Sequence, residues 1–156
     1  MTWSEHDGDL WEVDSNAIVI TTNGVVNSTG QAVMGRGCAK EAVDAYPKLA
    51  YRLGKRITKF GNIPFVFLPN DHGAYYKPII TLPVKHNWQG LASKFLIWDS
   101  LKRLVSICES LGLVTVSMPR PGCGSGGLSW DSIQPRLSGY LHDSVTEFVV
   151  CHKEGL

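Results

Sequence analysis

The chain has 156 residues, of which 44% are hydrophobic and 19% are charged, so it fits one globular domain over residues 1–156 and excludes a disordered or fibrous protein. Fifteen basic and fourteen acidic residues give a net charge of +1, which excludes recognition of nucleic acid or membranes through the overall charge. The four cysteines form no CxxC pair, so we expect reduced thiols and no bound metal.

The N-terminal part of the chain predicts one strand followed by two helices. Ala17–Thr22 is a β-branched run that ends at Asn23-Gly24, which is typical of a buried strand followed by a turn. Residues 37–46 predict a short helix, and Pro47 suits the first turn of a second helix over residues 47–60. Gly61 is expected to end that second helix.

The middle of the chain predicts two strands and one long helix. The strands are predicted over residues 63–68 and 79–84, with the turn sequence NDHG between them. The loop PVKHNWQG then leads to an amphipathic helix over residues 93–111, with Gly112 just past its end. The apolar side of this helix is predicted to consist of Phe95, Trp98, Leu101, Leu104, Val105, Cys108 and Leu111.

The C-terminal part predicts a strand over residues 114–118, a glycine-rich loop, a helix, and a strand over residues 147–151 that closes the sheet. Pro135 lies six positions after Ser129, so either the first turn of this helix is separate or the helix begins near Asp131 or Ser132. Alternating strands and helices predict a central sheet with helices on both faces. Such sheets bind ligands at the loops that follow the carboxyl ends of their strands.

The glycine-rich loop lies in the sequence PRPGCGSGGLSWD and contains four glycines. Missing Cβ atoms let a ligand approach the backbone, and the following helix N-terminus favours an anion such as phosphate. The loop lacks the lysine of a P-loop, comes too late for a dinucleotide fingerprint, and has Ser129 where a cysteine phosphatase needs arginine. Taken alone, the loop is as consistent with a purely structural turn as with a phosphate-binding site.

A second glycine-containing segment, AVMGRGCAKEA over residues 32–42, also precedes a helix. Two such loops after two strands suit the two ends of an elongated ligand. A diphosphate that bridges two sugars has this shape and charge. The second segment therefore favours a ligand-binding site, which the first loop alone does not distinguish from a structural turn.

Four segments together resemble the macrodomain family: GDL at residues 8–10, AIVITTN at 17–23, VMGRGCA at 33–39 and MPRPGCGSGGLSW at 118–130. The match is ordered and covers nearly the whole chain. A macrodomain is a three-layer α/β/α module with a central mixed sheet that binds ADP-ribose, so the resemblance implies this fold and this ligand. Within the family, GRGCA before a helix resembles the branch of the terminal ADP-ribose glycohydrolase and the DNA ADP-ribosyl glycohydrolase antitoxin.

The resemblance also implies which residues hold the ligand. Asp9 would accept a hydrogen bond from the adenine amino group, Asn23 and the backbone of residues 35–38 would hold the distal ribose, and residues 122–128 would wrap the phosphates. The full set implied to bind ADP-ribose is Asp9, Leu10, Asn23, Gly35, Arg36, Gly37, Cys38, Gly122, Cys123, Gly124, Ser125, Gly126, Gly127 and Leu128.

In this branch a lysine in the loop before the long helix is catalytic, and PVKHNW matches the antitoxin's lysine-x-x-tryptophan arrangement at Lys85 and Trp88. Lys85 would attack the sugar as a nucleophile or polarise it, and the sequence leaves both roles open. Trp88 would stack on a sugar or base, or would anchor the loop in the core. Gly126 stands where the human glycohydrolase has an aspartate, so a mechanism that needs this carboxylate is not expected.

The resemblance thus implies an ADP-ribosyl hydrolase acting on ADP-ribosylated thymidine in DNA or on ADP-ribosylated Asp or Glu of proteins. Two alternatives stay open, a non-catalytic reader of ADP-ribose and a phosphatase acting on ADP-ribose 1″-phosphate. We expect a monomer without a cofactor. Because the N-terminus lacks a secretory pattern and no apolar run is long enough to cross a bilayer, we also expect a cytoplasmic protein with no membrane partner.

Overall fold

The structure is a computed structural model, and it describes residues 3–68 and 77–153. The described residues form six strands, four α-helices and a short 3₁₀ helix at Leu10–Glu12. The strands are β1 (Trp3–Asp7), β2 (Ala17–Thr22), β3 (Val66–Phe67), β4 (Ile79–Pro83), β5 (Thr115–Pro119) and β6 (Glu147–His152). The helices are α1 (Gly37–Ala45), α2 (Leu49–Phe60), α3 (Lys94–Ser110) and α4 (Trp130–Leu141).

All six strands belong to one sheet, in the order β1-β6-β5-β2-β4-β3. Neighbouring strands are parallel except at one edge, where β3 runs antiparallel to β4. The sheet is therefore mixed, as the macrodomain resemblance implies. Five strands run in the same direction, so their carboxyl ends lie at the same end of the sheet. The loops that follow β1, β2, β4, β5 and β6 meet there.

The helices cover the two faces of the sheet, and the alternation of side chains along β2 shows how. Ala17 and Val19 pack into the core cluster that contains residues of α3 and α4. Ile18 and Ile20 point to the opposite face and pack with residues of α1 and α2. All four side chains are fully buried. These two cores confirm the three-layer α/β/α architecture.

Helix α3 matches its predicted bounds closely, although two side chains predicted on its apolar side are exposed. Ser93 caps the helix, because its Oγ accepts a hydrogen bond from the N–H of Leu96 at 3.3 Å. The prediction that Phe95 belongs to the core is wrong, since Phe95 is 88% exposed while Leu96 and Ile97 take the buried positions. Leu111, past the helix end, is also exposed. The residues buried as predicted are Trp98, Leu101, Leu104 and Cys108.

The edge strand β1 was not predicted, and it corrects the expectation that residues 147–151 close the sheet. Its sequence, WSEHD, is polar and mostly exposed, so no apolar alternation marks it. It pairs in parallel with β6, which places β6 inside the sheet. The indole N–H of Trp3 donates to Ser138 Oγ at 3.0 Å and attaches this edge to α4.

Helix α4 begins at Trp130 and contains Pro135 without a break, so the predicted start near Asp131 or Ser132 is confirmed and a separate first turn is wrong. A proline inside a helix removes the N–H that would bond to the carbonyl four residues earlier, here Asp131. Both residues are exposed, so water can reach that carbonyl. The solvent-facing position therefore makes the proline tolerable.

Strand β3 contains two residues, fewer than the predicted 63–68, and the predicted turn NDHG at residues 70–73 lies outside the described residues. The thiols of all four cysteines are free, as expected. None of the helices within residues 3–68 and 77–153 combines the length and the apolar character needed to cross a bilayer.

Candidate functional site

A cavity of about 600 Å³ opens among the loops that follow the carboxyl ends of the parallel strands. This volume lies within the usual range for pockets that hold a small ligand. The predicted binding residues that line it are Asp9, Leu10, Asn23, Gly35, Arg36, Gly37, Cys38, Gly122, Gly124, Ser125 and Gly126, together with Lys85. The structure thus gathers residues from five separate segments around one space.

One wall of the cavity is the N-terminus of α1. Gly37, the first residue of the helix, has a φ of +58°, a conformation that favours glycine. Among the described residues, no backbone carbonyl accepts from the N–H groups of Gly37 and Cys38, the N–H of Cys38 contacts only its own thiol, and no side chain caps this end. Free N–H groups and the helix dipole make this wall suitable for an anion.

A second wall of the cavity is the glycine loop after β5. Gly122 has a φ of +76°, and a Cβ there would lie 2.8 Å from Ile97 Cδ1. Its carbonyl accepts a hydrogen bond from the N–H of Leu128 at 2.9 Å, which closes the loop. Among the described residues, no acceptor pairs with the N–H groups of Gly124, Ser125 and Gly126. Three consecutive residues with free N–H donors therefore line the cavity.

Three residues of the predicted site, Cys123, Gly127 and Leu128, do not line the cavity in the described structure. Leu128 packs against the core cluster beneath α3 and α4. The N–H of Gly127 is used within the loop, where it donates to the Gly124 carbonyl at 3.1 Å. Burial raises the pKa of the Cys123 thiol to about 11, so the thiol is protonated near neutral pH. Cys123, Gly127 and Leu128 therefore support the conformation of the loop and do not line the cavity.

Lys85 lies at the end of β4 and is buried, with 7% of its surface exposed. Its Nζ donates to the carbonyl of Ser125 at 3.1 Å and to the carbonyl of Trp88 at 3.2 Å. An ammonium group has three N–H donors, so one is left for a ligand. Within the described residues, no carboxylate lies in ion-pair distance of this amine. The amine is thus fixed against the glycine loop at the cavity wall.

The residues around Lys85 hold its loop in place. Asn62, just after α2, donates from Nδ2 to the Lys85 carbonyl at 2.8 Å. The same Nδ2 lies 3.4 Å from Nδ1 of His86, an exposed side chain. Trp88 lines the cavity and is 49% exposed. Of the two predicted roles for Trp88, the core anchor is therefore wrong, and its ring is available at the cavity mouth.

Asp9 and Asn23 line the cavity but also support their own segments. One oxygen of Asp9 accepts from the N–H of Trp11 at 3.1 Å, which caps the 3₁₀ helix and leaves the other oxygen available. Asn23 donates to the Val33 carbonyl at 3.1 Å and accepts from the N–H of Val25 at 2.9 Å. The amide of Asn23 therefore braces the loop between β2 and α1.

Arg120 is a lining residue that the sequence analysis missed. Its Nη2 donates to Glu5 Oε1 at 3.2 Å, and its guanidinium lies 4.8 Å from the centre of the Trp130 ring. Its buried Nε has no partner in the described residues. The signal was present, since Arg120 stands between the two prolines that precede the glycine loop.

The charged side chains around the cavity are mostly cationic. Four basic residues and two acidic residues line it: Arg36, Lys85, Arg120 and Lys153, against Asp9 and Glu41. One of the acids, Glu41, accepts a hydrogen bond from the indole N–H of Trp11 at 3.3 Å. A cationic excess around two sets of free N–H groups favours a ligand with more than one negative charge. No group of metal-binding side chains occurs in the described part of the chain.

No protein-family model matches the sequence. The DNA ADP-ribosyl glycohydrolase of Mycobacterium tuberculosis is 31% identical over 134 residues, which cover 83% of this chain and 36% of that protein. The solved macrodomain of Mycobacterium tuberculosis DarG is similar with a TM-score of 0.81 and 27% identity, and the match covers 96% of both chains. The chain is a macrodomain of the DarG branch.

A third comparison agrees with the fold of this macrodomain. The solved structure of Thermosipho africanus DarTG in complex with ADP-ribose is similar with a TM-score of 0.80 and 20% identity, covering 99% of this chain and 43% of that one. The macrodomain spans about a third of the length of the curated relatives that it matches.

Proposed function

We propose that this macrodomain is an ADP-ribosyl glycohydrolase that removes ADP-ribose from a modified nucleobase of DNA. The observation that carries the proposal is the buried amine of Lys85, held between the Ser125 and Trp88 carbonyls beside two N–H-rich walls. Support also comes from the curated relatives named DNA ADP-ribosyl glycohydrolase and from a solved DarTG complex with ADP-ribose. Together, these features would place a bound diphosphate and the Lys85 amine in the same cavity.

The cavity suits ADP-ribose because its lining offers N–H donors for the diphosphate and a carboxylate oxygen for the adenine amino group. The diphosphate would accept hydrogen bonds from the free N–H groups of Gly124, Ser125 and Gly126 and from the N-terminus of α1. The adenine amino group would donate to the free oxygen of Asp9. The distal ribose would then lie near Lys85, with its anomeric carbon facing Nζ.

Hydrolysis of the glycosidic bond breaks the bond between the anomeric carbon and the base nitrogen, and the electron pair leaves with the base. A water oxygen bonds to the carbon, and the base takes up a proton. Lys85 can serve as a cationic donor that stabilises the departing base. After losing its proton it can instead attack the anomeric carbon of the ring-opened glycoside, so that the bond to the base breaks, the base leaves with the electron pair and a proton, and an imine with Lys85 remains. Water then hydrolyses the imine, which releases ADP-ribose and restores the amine. Borohydride separates these roles, because it traps only the imine.

The glycine loop argues against a mechanism that needs a carboxylate at position 126. A Cβ at Gly126 would lie 2.4 Å from the Gly122 carbonyl oxygen, so this loop conformation has no room for an aspartate. The reaction at this site would depend on the Lys85 amine without a carboxylate from the loop.

The test is release of ADP-ribose from three substrates: thymidine-linked ADP-ribose, glutamate-linked ADP-ribose and ADP-ribose 1″-phosphate. We expect release from the thymidine-linked compound by the parent and at least a 100-fold loss in Lys85→Ala, with Lys94→Ala as the control for an exposed lysine outside the cavity. Binding without release by the parent would favour a reader, and phosphate release alone would favour a phosphatase. Either result would overturn the proposal.

We further infer that the protein acts as a monomer in the cytoplasm. The four free thiols support a reducing compartment. Light scattering of the purified protein and fractionation of cells that express the tagged chain test the two statements. A dimer peak, or recovery in the periplasm, would contradict them.

A further inference from the structure

A second surface, on the helix α2, carries positive charge that the overall charge of +1 conceals. Four side chains of this helix are basic, and its sequence, LAYRLGKRITKF, contains no acidic residue. We define the basic groove by its lining residues, which are Arg52, Lys55, Arg56, Lys59, Phe60, Val66, Phe67, Leu68 and Leu111. No acidic residue of the described chain lines this groove.

We propose that the basic groove binds the single-stranded DNA on which the modified base is carried, and this inference rests on the proposed function. The backbone phosphates would pair with the basic side chains of α2, while unstacked bases would contact the apolar side chains beside them. The bound strand would thereby present its modified nucleotide to the neighbouring catalytic cavity.

Arg56 has a defined position in the groove, which favours a specific binding surface. Arg56 donates from Nη1 to the Val66 carbonyl at 2.8 Å, and its guanidinium lies 4.4 Å from the centre of the Phe67 ring. Both contacts hold the charge of Arg56 over the edge strand β3. Lys55 and Lys59 are exposed, so their ammonium groups can reach phosphates in solvent.

Exposed apolar side chains in the groove favour a single strand over a duplex. Phe60 is 58% exposed and Leu68 is 71% exposed, next to the basic side chains of α2. The faces of the bases are buried in a duplex but accessible in a single strand, where they stack on aromatic rings. Base stacking on Phe60 is therefore possible for a single strand only.

The groove and the catalytic loop are connected through the end of α2. The helix ends where the N–H of Gly61 donates to the Ile57 carbonyl at 2.8 Å. The next residue, Asn62, donates to the Lys85 carbonyl. The 12 residues of α2 form a helix about 18 Å long, which provides room for several nucleotides. A strand that follows α2 towards its C-terminus therefore approaches the loop of Lys85.

The first test is binding of a fluorescent, unmodified single-stranded oligonucleotide of about 12 nucleotides, measured by anisotropy at several salt concentrations. The variant Lys55→Glu/Lys59→Glu removes two lysines of the groove, and Lys102→Glu/Arg103→Glu makes the same charge change on α3. We expect the groove variant to bind at least 10-fold more weakly than the control. Each phosphate contact contributes about 0.7 to the slope of log K against log salt, so the slope should fall by about 1.4.

The second test compares two substrates, an ADP-ribosylated oligonucleotide and ADP-ribosyl-thymidine. The groove variant should raise KM at least 10-fold for the oligonucleotide and leave the nucleoside reaction unchanged. Equal oligonucleotide binding by both variants, or equally tight binding of a duplex by the parent, would overturn the inference. If the parent binds the strand through the groove but hydrolyses neither substrate, the proposed function fails while the binding surface stands.

Discussion

Replacing Gly126 with alanine is expected to weaken ADP-ribose binding by altering the backbone of the glycine loop. The new Cβ would lie 2.4 Å from the Gly122 carbonyl oxygen and 2.8 Å from the Gly122 Cα. Real Cβ contacts essentially never fall below 3.0 Å, so the backbone must shift by about 0.6 Å. The Gly122 carbonyl accepts from Leu128 and the Gly126 carbonyl accepts from Ala92, so the shift disturbs both hydrogen bonds.

The magnitude follows from the donors that this loop offers to the phosphates. Loss of one hydrogen bond to a charged group costs about 1.5 to 3 kcal/mol. Since about 1.4 kcal/mol corresponds to a tenfold change in affinity, the Kd for ADP-ribose should rise about 10- to 150-fold. The change would affect binding more than folding, because Gly126 lies in a loop outside the helices and strands.

Isothermal titration calorimetry with ADP-ribose measures the effect in the parent, in Gly126→Ala and in Gly139→Ala. Gly139 is a suitable control because it lies on α4 and a Cβ there meets no atom within 4 Å. Thermal unfolding of each protein confirms that it is folded. If Gly126→Ala binds ADP-ribose within about twofold of the control, the N–H groups of this loop do not hold the phosphates.

Three further predictions concern stability, measured by urea unfolding. Ser93→Ala should lower the free energy of unfolding by about 1 kcal/mol, because α3 loses its cap, and no loss would exclude that role. Leu101→Ala should cost about 2 to 5 kcal/mol, whereas Phe95→Ala should change stability by less than about 0.5 kcal/mol, and equal losses would contradict the observed burial. The Cys123 thiol has a pKa raised from 9.0 to about 11, so its stabilising effect should be complete below pH 9.0 and decline towards pH 11. The stability difference between the parent and Cys123→Ser should therefore shrink as pH rises through this range, and a difference that grows would reverse the assigned sign.

Much of the fold was accessible from the sequence because buried strands and long helices leave strong local patterns. The run Ala17–Thr22 and the spacing of apolar residues in α3 gave the correct elements. Strand β1 was missed because an exposed edge strand with the sequence WSEHD has no apolar face. Phe95 was misplaced because the adjacent residues Leu96 and Ile97 can serve the same helix, and tertiary packing decides among them.

The site was predicted less evenly than the fold. The two glycine-rich segments and Lys85, which were predicted from separate parts of the sequence, line one cavity. Cys123 and Leu128 could not be separated from their neighbours, because only the folded loop determines which residues face inward. Arg120 was missed although it stands beside the glycine loop, because its position in the cavity depends on a contact with Glu5, which is 115 residues away, as well as on Trp130.

The two hydrogen bonds of Lys85 have a consequence for the design of covalent inhibitors. An aldehyde that captures this amine forms an imine, whose nitrogen keeps at most one N–H, so at least one hydrogen bond to the Ser125 and Trp88 carbonyls is lost, at a cost of about 1.5 to 3 kcal/mol. The carbonyl that loses its bond then needs a new donor. An effective warhead should therefore carry a hydroxyl or amide donor beside its electrophile to occupy that carbonyl after capture.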